Sequence, residues 1–254
     1  MRRTDPRLRT VRSLAFGLCI FGLSMLGQAT RADHTLVFAT GANAPFHDEN
    51  GTGFVDLIVE QIGMSLGHPI RVVGLPPERA LQDANSGVAD GDAYRIGGLG
   101  ELYPNLVQVP EPIADMRFAA FSDRPGLTVR HWNDVSDLAV GYITGWKIFE
   151  NNITDSAHVT TVRNSEQLFV LLVRDRADVV FYDLWQGTLL LNTDPRFAAI
   201  KPLHPPLAVQ EMFLYLHDDH RALSTDVAEA LRNMKSDGSY DGIFARVLEP
   251  LLDD

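Results

Sequence analysis

The 254-residue chain is poor in the materials of several protein classes. Its one cysteine, Cys19, cannot form an internal disulfide, so a disulfide scaffold is excluded. Basic residues are scarce: 22 Lys and Arg stand against 33 Asp and Glu, a net charge of −11. That balance lacks the cationic face that phosphate-backbone contacts require, so nucleic acid is not an expected partner. Only Leu14 to Leu26 forms a sizeable apolar run, and it is too short to span a bilayer easily. Gly97-Gly98-Leu99-Gly100 lacks the lysine and helix signature of a phosphate loop. No nucleophile elbow and no Ser, His and Asp arrangement stands out. What is present, 45% hydrophobic residues, is enough for one large domain or two lobes.

Arg2, Arg3, Arg7, Arg9 and Arg12 precede the apolar run, and Gly27-Gln28-Ala29-Thr30-Arg31-Ala32 follows it. A basic region, a short apolar core and small residues describe a secretory signal peptide over residues 1–32. Cleavage is expected after Ala32 or Ala29, an uncleaved anchor being the alternative, and Cys19 would leave with the peptide. The expected location is the periplasm. Residues 1–32 hold six Arg and one Asp, so the remainder has 16 basic and 32 acidic residues, a net −16. Solubility explains that surplus as well as a cationic ligand would.

The rest of the chain alternates strand-like and helix-like segments. Thr35 to Ala39 reads as a strand, followed by a Gly-, Asn- and Pro-bearing loop from Gly41 to Gly53. Phe54, Leu57, Ile58, Ile62 and Leu66 carry a helical period that ends near Gly67. Ile70 to Val73 is the next strand, and Pro77 opens a helix where its missing N–H is harmless. That helix ends at Asn85-Ser86-Gly87, and Gly91 to Tyr94 is a third strand. After a strand at Arg117 to Ser122 the pattern restarts. Strands at 140–143, 159–162 and 179–182 alternate with helices at 147–151, after Asn164, and at 184–191. A last strand falls at 211–216 and a last helix carries Leu223, Val227, Ala230, Leu231 and Met234. This order predicts an α/β fold of two lobes, each a mostly parallel sheet flanked by helices. The expected boundaries are 33–122 and 206–254 for the first lobe and 123–205 for the second, with two crossovers near 118–124 and 204–212.

An internal echo accompanies this reading. Shifted by 88 positions, Ala89-Asp90 falls on Ala177-Asp178 and Tyr94-Arg95 on Tyr182-Asp183. Ligands in open α/β sheets bind beyond the carboxyl ends of strands. The echo therefore places Arg95 and Asp183 at equivalent strand ends, a cation and an anion facing one cleft.

The sequence resembles a bacterial extracellular solute-binding protein of family 3. The resemblance covers about all of the chain after the leader. It rests on Ala44-Pro45-Phe46, Gly53-Phe54, Arg79-Ala80-Leu81 through Asn85-Ser86-Gly87-Val88-Ala89-Asp90-Gly91, Gly141 to Gly145, Ala177-Asp178 to Asp183, and Lys235-Ser236-Asp237-Gly238-Ser239-Tyr240-Asp241. It implies the type II periplasmic binding-protein fold and capture of a small solute, often an amino acid, for an ABC-type permease. It implies no cofactor. Amino-acid binders of that family place an Arg in a Ser/Thr-rich turn after the motif matching Asp90-Gly91. Here Ile96-Gly97-Gly98-Leu99-Gly100-Glu101 holds neither, and the nearest Arg is the earlier Arg95. Asp183 matches the position that implies an ammonium contact.

The candidate ligand-binding residues are Arg95, Asp183, Asp92, Tyr94, Phe46, Gly145 and Trp146. Arg95 is suited to fork onto a carboxylate, or else to pair with Asp92 or Glu101. Asp183 suits an amine, or caps the helix beginning at Leu184. Gly145 and Trp146 present helix-start N–H groups to an anion, or form a plain turn. Phe46 and Tyr94 offer aromatic walls, or core packing. Trp185 is expected to pack in the second lobe. His47-Asp48-Glu49 and His217-Asp218-Asp219-His220 lack convincing metal-ligand spacing and read as solvated loops. A monomeric solute-binding protein is the expectation. The alternatives are a sensory protein docking on a membrane receptor and a dehydratase-like enzyme with Asp92 or Asp183 as general acid.

Overall fold

The computed structural model describes residues 35–154 and 158–252, which belong to one compact unit. The leader segment and its cleavage sites lie outside the described residues. Eight strands form one mixed sheet: β1 (Leu36–Thr40), β2 (Ile70–Gly74), β3 (Gly91–Ile96), β4 (Leu106–Ser122), β5 (Ala139–Ile143), β6 (His158–Val162), β7 (Val179–Asp183) and β8 (Lys201–His217). Their order is β2-β1-β3-β8-β4-β7-β5-β6. The helices are α1 (Phe54–Leu66), α2 (Pro77–Asn85), α3 (Lys147–Asn152), α4 (Ser165–Val173), α5 (Leu184–Thr193), α6 (Ser224–Asp237) and α7 (Ser239–Val247). Among the described residues no helix is long and apolar enough to cross a membrane.

The two ends of the sheet are built alike. In one, β1 pairs in parallel with β2 and β3; in the other, β5 pairs in parallel with β6 and β7. Each needs helical crossovers, because parallel neighbours cannot be joined by a tight turn. β4 and β8, 17 residues each and antiparallel to one another, run between the two ends. Arg117–Ser122 and Glu211–Leu216 are only parts of these strands. Pro110 and Pro112 in β4, with Pro202, Pro205 and Pro206 in β8, disguise the rest, since proline argues against a central strand. The sheet accommodates the β4 prolines through register shifts between Gln108 and Ala114.

The internal echo is a structural one. The amide of Asp90 donates to the carbonyl of Val37, and Asp90 Oδ2 accepts from the Val37 amide at 2.7 Å. Asp178 makes the same two bonds with Ala139, the return bond at 2.8 Å. One carboxylate thus fastens the first and third strands of each parallel set. His220 holds Asp90 at 2.7 Å, and Arg124 forms an ion pair with Asp178.

Local chemistry sets the helix starts. Asp56 reaches back to the Gly53 amide at 3.1 Å at the head of α1 and takes His47 Nδ1 at 2.7 Å. Asn164 caps α4 and Asp183 caps α5, each through an amide 2.9 Å away. α6 and α7 are two helices, separated by Gly238 at φ +83°. A left-handed residue there breaks the run at the cost only glycine avoids.

Among the described residues the core falls into one large cluster beneath α1, α6 and α7, two clusters on opposite faces of the β7-β5 region, and two small ones at α2. Trp185 departs from expectation. Although it stands on α5, it joins the large cluster and meets Phe244 edge-on at 5.7 Å. Gly187 is the tight point of α5: a Cβ there would lie 2.3 Å from the ring of the fully buried Phe121. Gly187→Ala is expected to cost about 1–3 kcal/mol by overpacking. The matching fall in melting temperature is about 3–10 °C, measurable by calorimetry.

Candidate functional site

Tyr94 is the most unusual residue of the site. Its φ is +75°, a conformation that bulky side chains rarely adopt, in the stretch where β3 slips register against β8. The twist places both Ala93 and Tyr94 in the large core cluster, whereas strict alternation would separate them. Phe46, from the loop after β1, stacks on Tyr94 with centroids 4.3 Å apart. Gly53 makes the loop possible, because a Cβ there would sit 2.3 Å from the Phe46 carbonyl oxygen.

Asp183 ends β7 and starts α5, and it is fully buried. Its Oδ1 accepts the Gln186 amide, the capping role anticipated for it. Its Oδ2 has no hydrogen-bond partner, and neither has Tyr94 Oη; these are the buried side-chain atoms without one among the described residues. The two groups feel each other electrostatically. Burial first, and then Asp183, Tyr240 and Asp115, hold the Tyr94 phenol far above its usual range. Burial likewise pushes Asp183 up to about 7, against the opposing pull of the Gln186, Arg117 and Trp185 amides and the Arg117 charge. The structure thus brings together Phe46 and Tyr94 from one parallel set and Asp183 from the other.

Arg95 and Asp92 form a different unit. The Arg95 guanidinium forks onto Asp92, Nε to Oδ1 at 2.8 Å and Nη2 to Oδ2 at 3.0 Å. Nη2 also donates to the Pro77 carbonyl at 2.8 Å. The carboxylate that Arg95 holds is therefore the chain's own. Asp92 is fully buried, and burial raises it to about 6 despite the charge and hydrogen bonds of Arg95.

Gly145 and Trp146 do not offer free N–H groups either. The Gly145 amide donates to Glu150 Oε1 at 2.9 Å, and the Trp146 amide donates to Ile143 at 3.3 Å. The Trp146 ring stacks on Phe149 and leans on Tyr182 and Phe118, packing rather than lining an anion site. Sequence reading missed Tyr240 and Asp115 as neighbours of Tyr94. The signal for Asp115 was the alternation along β4, which its prolines obscure; Tyr240 stands on α7, beyond the Gly238 break. Arg117 lies 5.3 Å over the Trp185 ring, and both border a cavity of about 320 Å³ with Asp115 and Tyr240. A larger cavity of about 1070 Å³ lies along β2 and the 41–51 loop, away from Tyr94 and Asp183. Among the described residues no three His, Cys, Asp or Glu side chains are grouped to hold a metal ion.

With this geometry in hand, known proteins place the fold. No family model matches the chain. An uncharacterized protein of Shewanella oneidensis is 25% identical over 214 residues, 82% of this chain and 79% of that one. A probable amino-acid ABC transporter extracellular-binding protein of Bacillus subtilis superposes with a TM-score of 0.72 at 16% identity, covering 85% of this chain and 97% of its own. A histidine kinase sensor domain with similarity to periplasmic binding proteins gives 0.70 at 16% identity, covering 86% and 98%. The fold is the two-lobed type II periplasmic binding-protein fold that the sequence motifs resemble.

Two predictions test the division of labour. Arg95→Gln leaves Asp92 buried without its partner and is expected to lose about 3–5 kcal/mol in urea unfolding. Asp92→Asn combined with Arg95→Gln is expected to recover most of it. Asp183 carries the opposite sign. Its folded pKa, about 7, exceeds the unfolded value of about 3.9, so burial costs nothing below pH 4. The cost grows up to pH 7 and is constant above. Asp183→Asn, which keeps the capping oxygen, is expected to match the parent at pH 4 and exceed it at pH 8 by about 4 kcal/mol, read from paired denaturation curves.

Proposed function

We propose that the chain is an exported, monomeric solute-binding protein, not an enzyme, that closes its two lobes on a small amine-bearing solute and delivers it to an ABC-type permease. The observation that carries this reading is the pair of buried, unpaired atoms, Tyr94 Oη and Asp183 Oδ2, contributed by the two parallel sets. A buried acceptor or hydroxyl without a partner costs about 1–3 kcal/mol. Burying both is therefore unfavourable until a bound group supplies the missing hydrogen bonds. An ammonium offers three donors, satisfying a carboxylate and a phenol oxygen together. The long strands β4 and β8 are where the lobes would hinge, and Phe46 would shield the solute from water.

The structural likeness to an amino-acid transporter's binding protein supports transport. The likeness to a kinase sensor domain favours a second reading, in which the loaded protein signals to a membrane receptor. Thermal-shift screening against amino acids, amines, sugars and organic acids tests the solute-binding reading, followed by small-angle scattering with the best ligand. A ligand that raises the melting temperature and lowers the radius of gyration is expected. Stabilisation that Asp183→Asn and Tyr94→Phe leave untouched would refute the site, and turnover of a ligand would refute the non-enzymatic role.

A further inference from the structure

Several of the hydrogen-bond donors at the ends of β3 and β5 that could receive a ligand carboxylate are already taken by the chain itself. On the side of β3, Arg95 is forked onto Asp92 and tied to Pro77. In the turn that follows, the Gly98 amide donates to Gln108 Oε1 at 3.0 Å and the Leu99 amide to Tyr215 Oη at 3.2 Å. Tyr215 Oη is itself fixed within hydrogen-bond distance of Gln108 Oε1 (2.8 Å) and the Ile96 carbonyl (2.9 Å), which share its one proton. On the side of β5, Glu150 occupies the Gly145 amide. Arg117 is the remaining guanidinium close to Asp183; it is half-buried, lies over the Trp185 ring and borders the cavity of about 320 Å³ with Asp115 and Tyr240.

What is left unused has the opposite character. Asp183 Oδ2 is a carboxylate oxygen without a donor and Tyr94 Oη a hydroxyl without a partner, and Phe46 stacks on the Tyr94 ring. The charged or ionisable groups that act on Tyr94, namely Asp183, Tyr240 and Asp115, are all acids or phenols. Such a setting attracts a cation and repels a carboxylate.

We propose that the solute is an organic cation without a carboxylate, a primary amine rather than a zwitterionic amino acid. The ammonium sits between Asp183 Oδ2 and Tyr94 Oη, and the carbon chain rests against Phe46. This inference rests on the solute-binding reading and narrows it, because one half of an amino-acid clamp has been turned inward to hold the protein's own Asp92, Gln108 and Glu150.

Matched pairs that differ only by the carboxylate test it. Isothermal titration of the wild-type protein with putrescine and ornithine, cadaverine and lysine, agmatine and arginine, and tyramine and tyrosine gives the comparison. At least one amine is expected to bind tenfold or more tightly than its parent amino acid. Asp183→Asn is expected to lose at least tenfold in that amine's affinity, and Tyr94→Phe, which preserves the ring stack, several-fold. An amino acid that binds as tightly as its amine, with affinity lost in Arg117→Gln or Arg95→Gln, overturns the cation assignment and leaves the solute-binding reading standing. No binding by any of the eight compounds also overturns the assignment. If a broad library of sugars, acids and peptides then gives no response, the solute-binding reading falls with it.

Discussion

The antiparallel pairing of β4 with β8 is the constraint on which the rest depends. These two strands belong to both ends of the sheet, so their register fixes where β3 stands relative to β7. Met212 pairs with Ile96 and with Ala114, while Phe118 pairs with Asp183 and with Ala208. The strand ends carrying Tyr94 and Asp183 are therefore separated by only a few residues of shared strand. A parallel pair could not connect the two sets so economically, since each parallel neighbour demands its own crossover helix. Register shifts in β4 loosen the ladder at its prolines without interrupting it.

On this frame the two halves diverge from one plan. Asp90 and Asp178 do the same work, each binding the start of the neighbouring strand through backbone and side chain. Five residues further on the plan splits. Asp183 remains at the strand end, caps α5 and keeps one oxygen free. Arg95 folds back on Asp92, and Tyr94 takes a left-handed backbone to bring its ring to the other face. A strained residue persists only where its surroundings hold it, and the Phe46 stack and the packing of Ala93 supply that restraint.

Much of this was legible in the sequence, for physical reasons. The periodicity of Phe54 to Leu66, Pro77 at a helix start, and Asn164 and Asp183 at caps are local signals read by local chemistry. The parallel sets followed from the alternation of strands and helices. What failed to show was non-local. Pro110, Pro112, Pro205 and Pro206 each argue against a strand locally, yet the pairing of β4 with β8 overrides them. Gly238 inside the C-terminal helical run marked a second helix, α7, whose Tyr240 and Phe244 reach the site. Trp185 reads as an ordinary helix residue, but only the packed structure shows that its face of α5 meets the first set's core. For the candidate site, the internal echo placed Arg95 and Asp183 at the ends of two strands, where β3 and β7 carry them. It could not tell whether Arg95 would meet a ligand or Asp92, because both pairings satisfy the same guanidinium.

That ambiguity is resolved by comparing what each carboxylate has around it. Asp92 is buried with a forked guanidinium, so its charge is answered within one strand and asks nothing of the other lobe. Asp183 is buried as deeply, with the Gln186 amide on Oδ1, no hydrogen bond on Oδ2 and the Arg117 charge nearby but not forked onto it. If the lobes open and close as we propose, its charge would be tolerated when they part and water reaches it, and penalised when they meet. An equilibrium between the two arrangements would then be biased toward opening by the charge itself, and a ligand could shift it only by as much as it binds the closed form better. A cation that neutralises Asp183 and fills the Tyr94 hydroxyl's hydrogen bond removes the penalty where it arises. On the proposed reading the strain at Tyr94 and the burial of Asp183 belong to one device, in which the unsatisfied site would make closure conditional on what it holds.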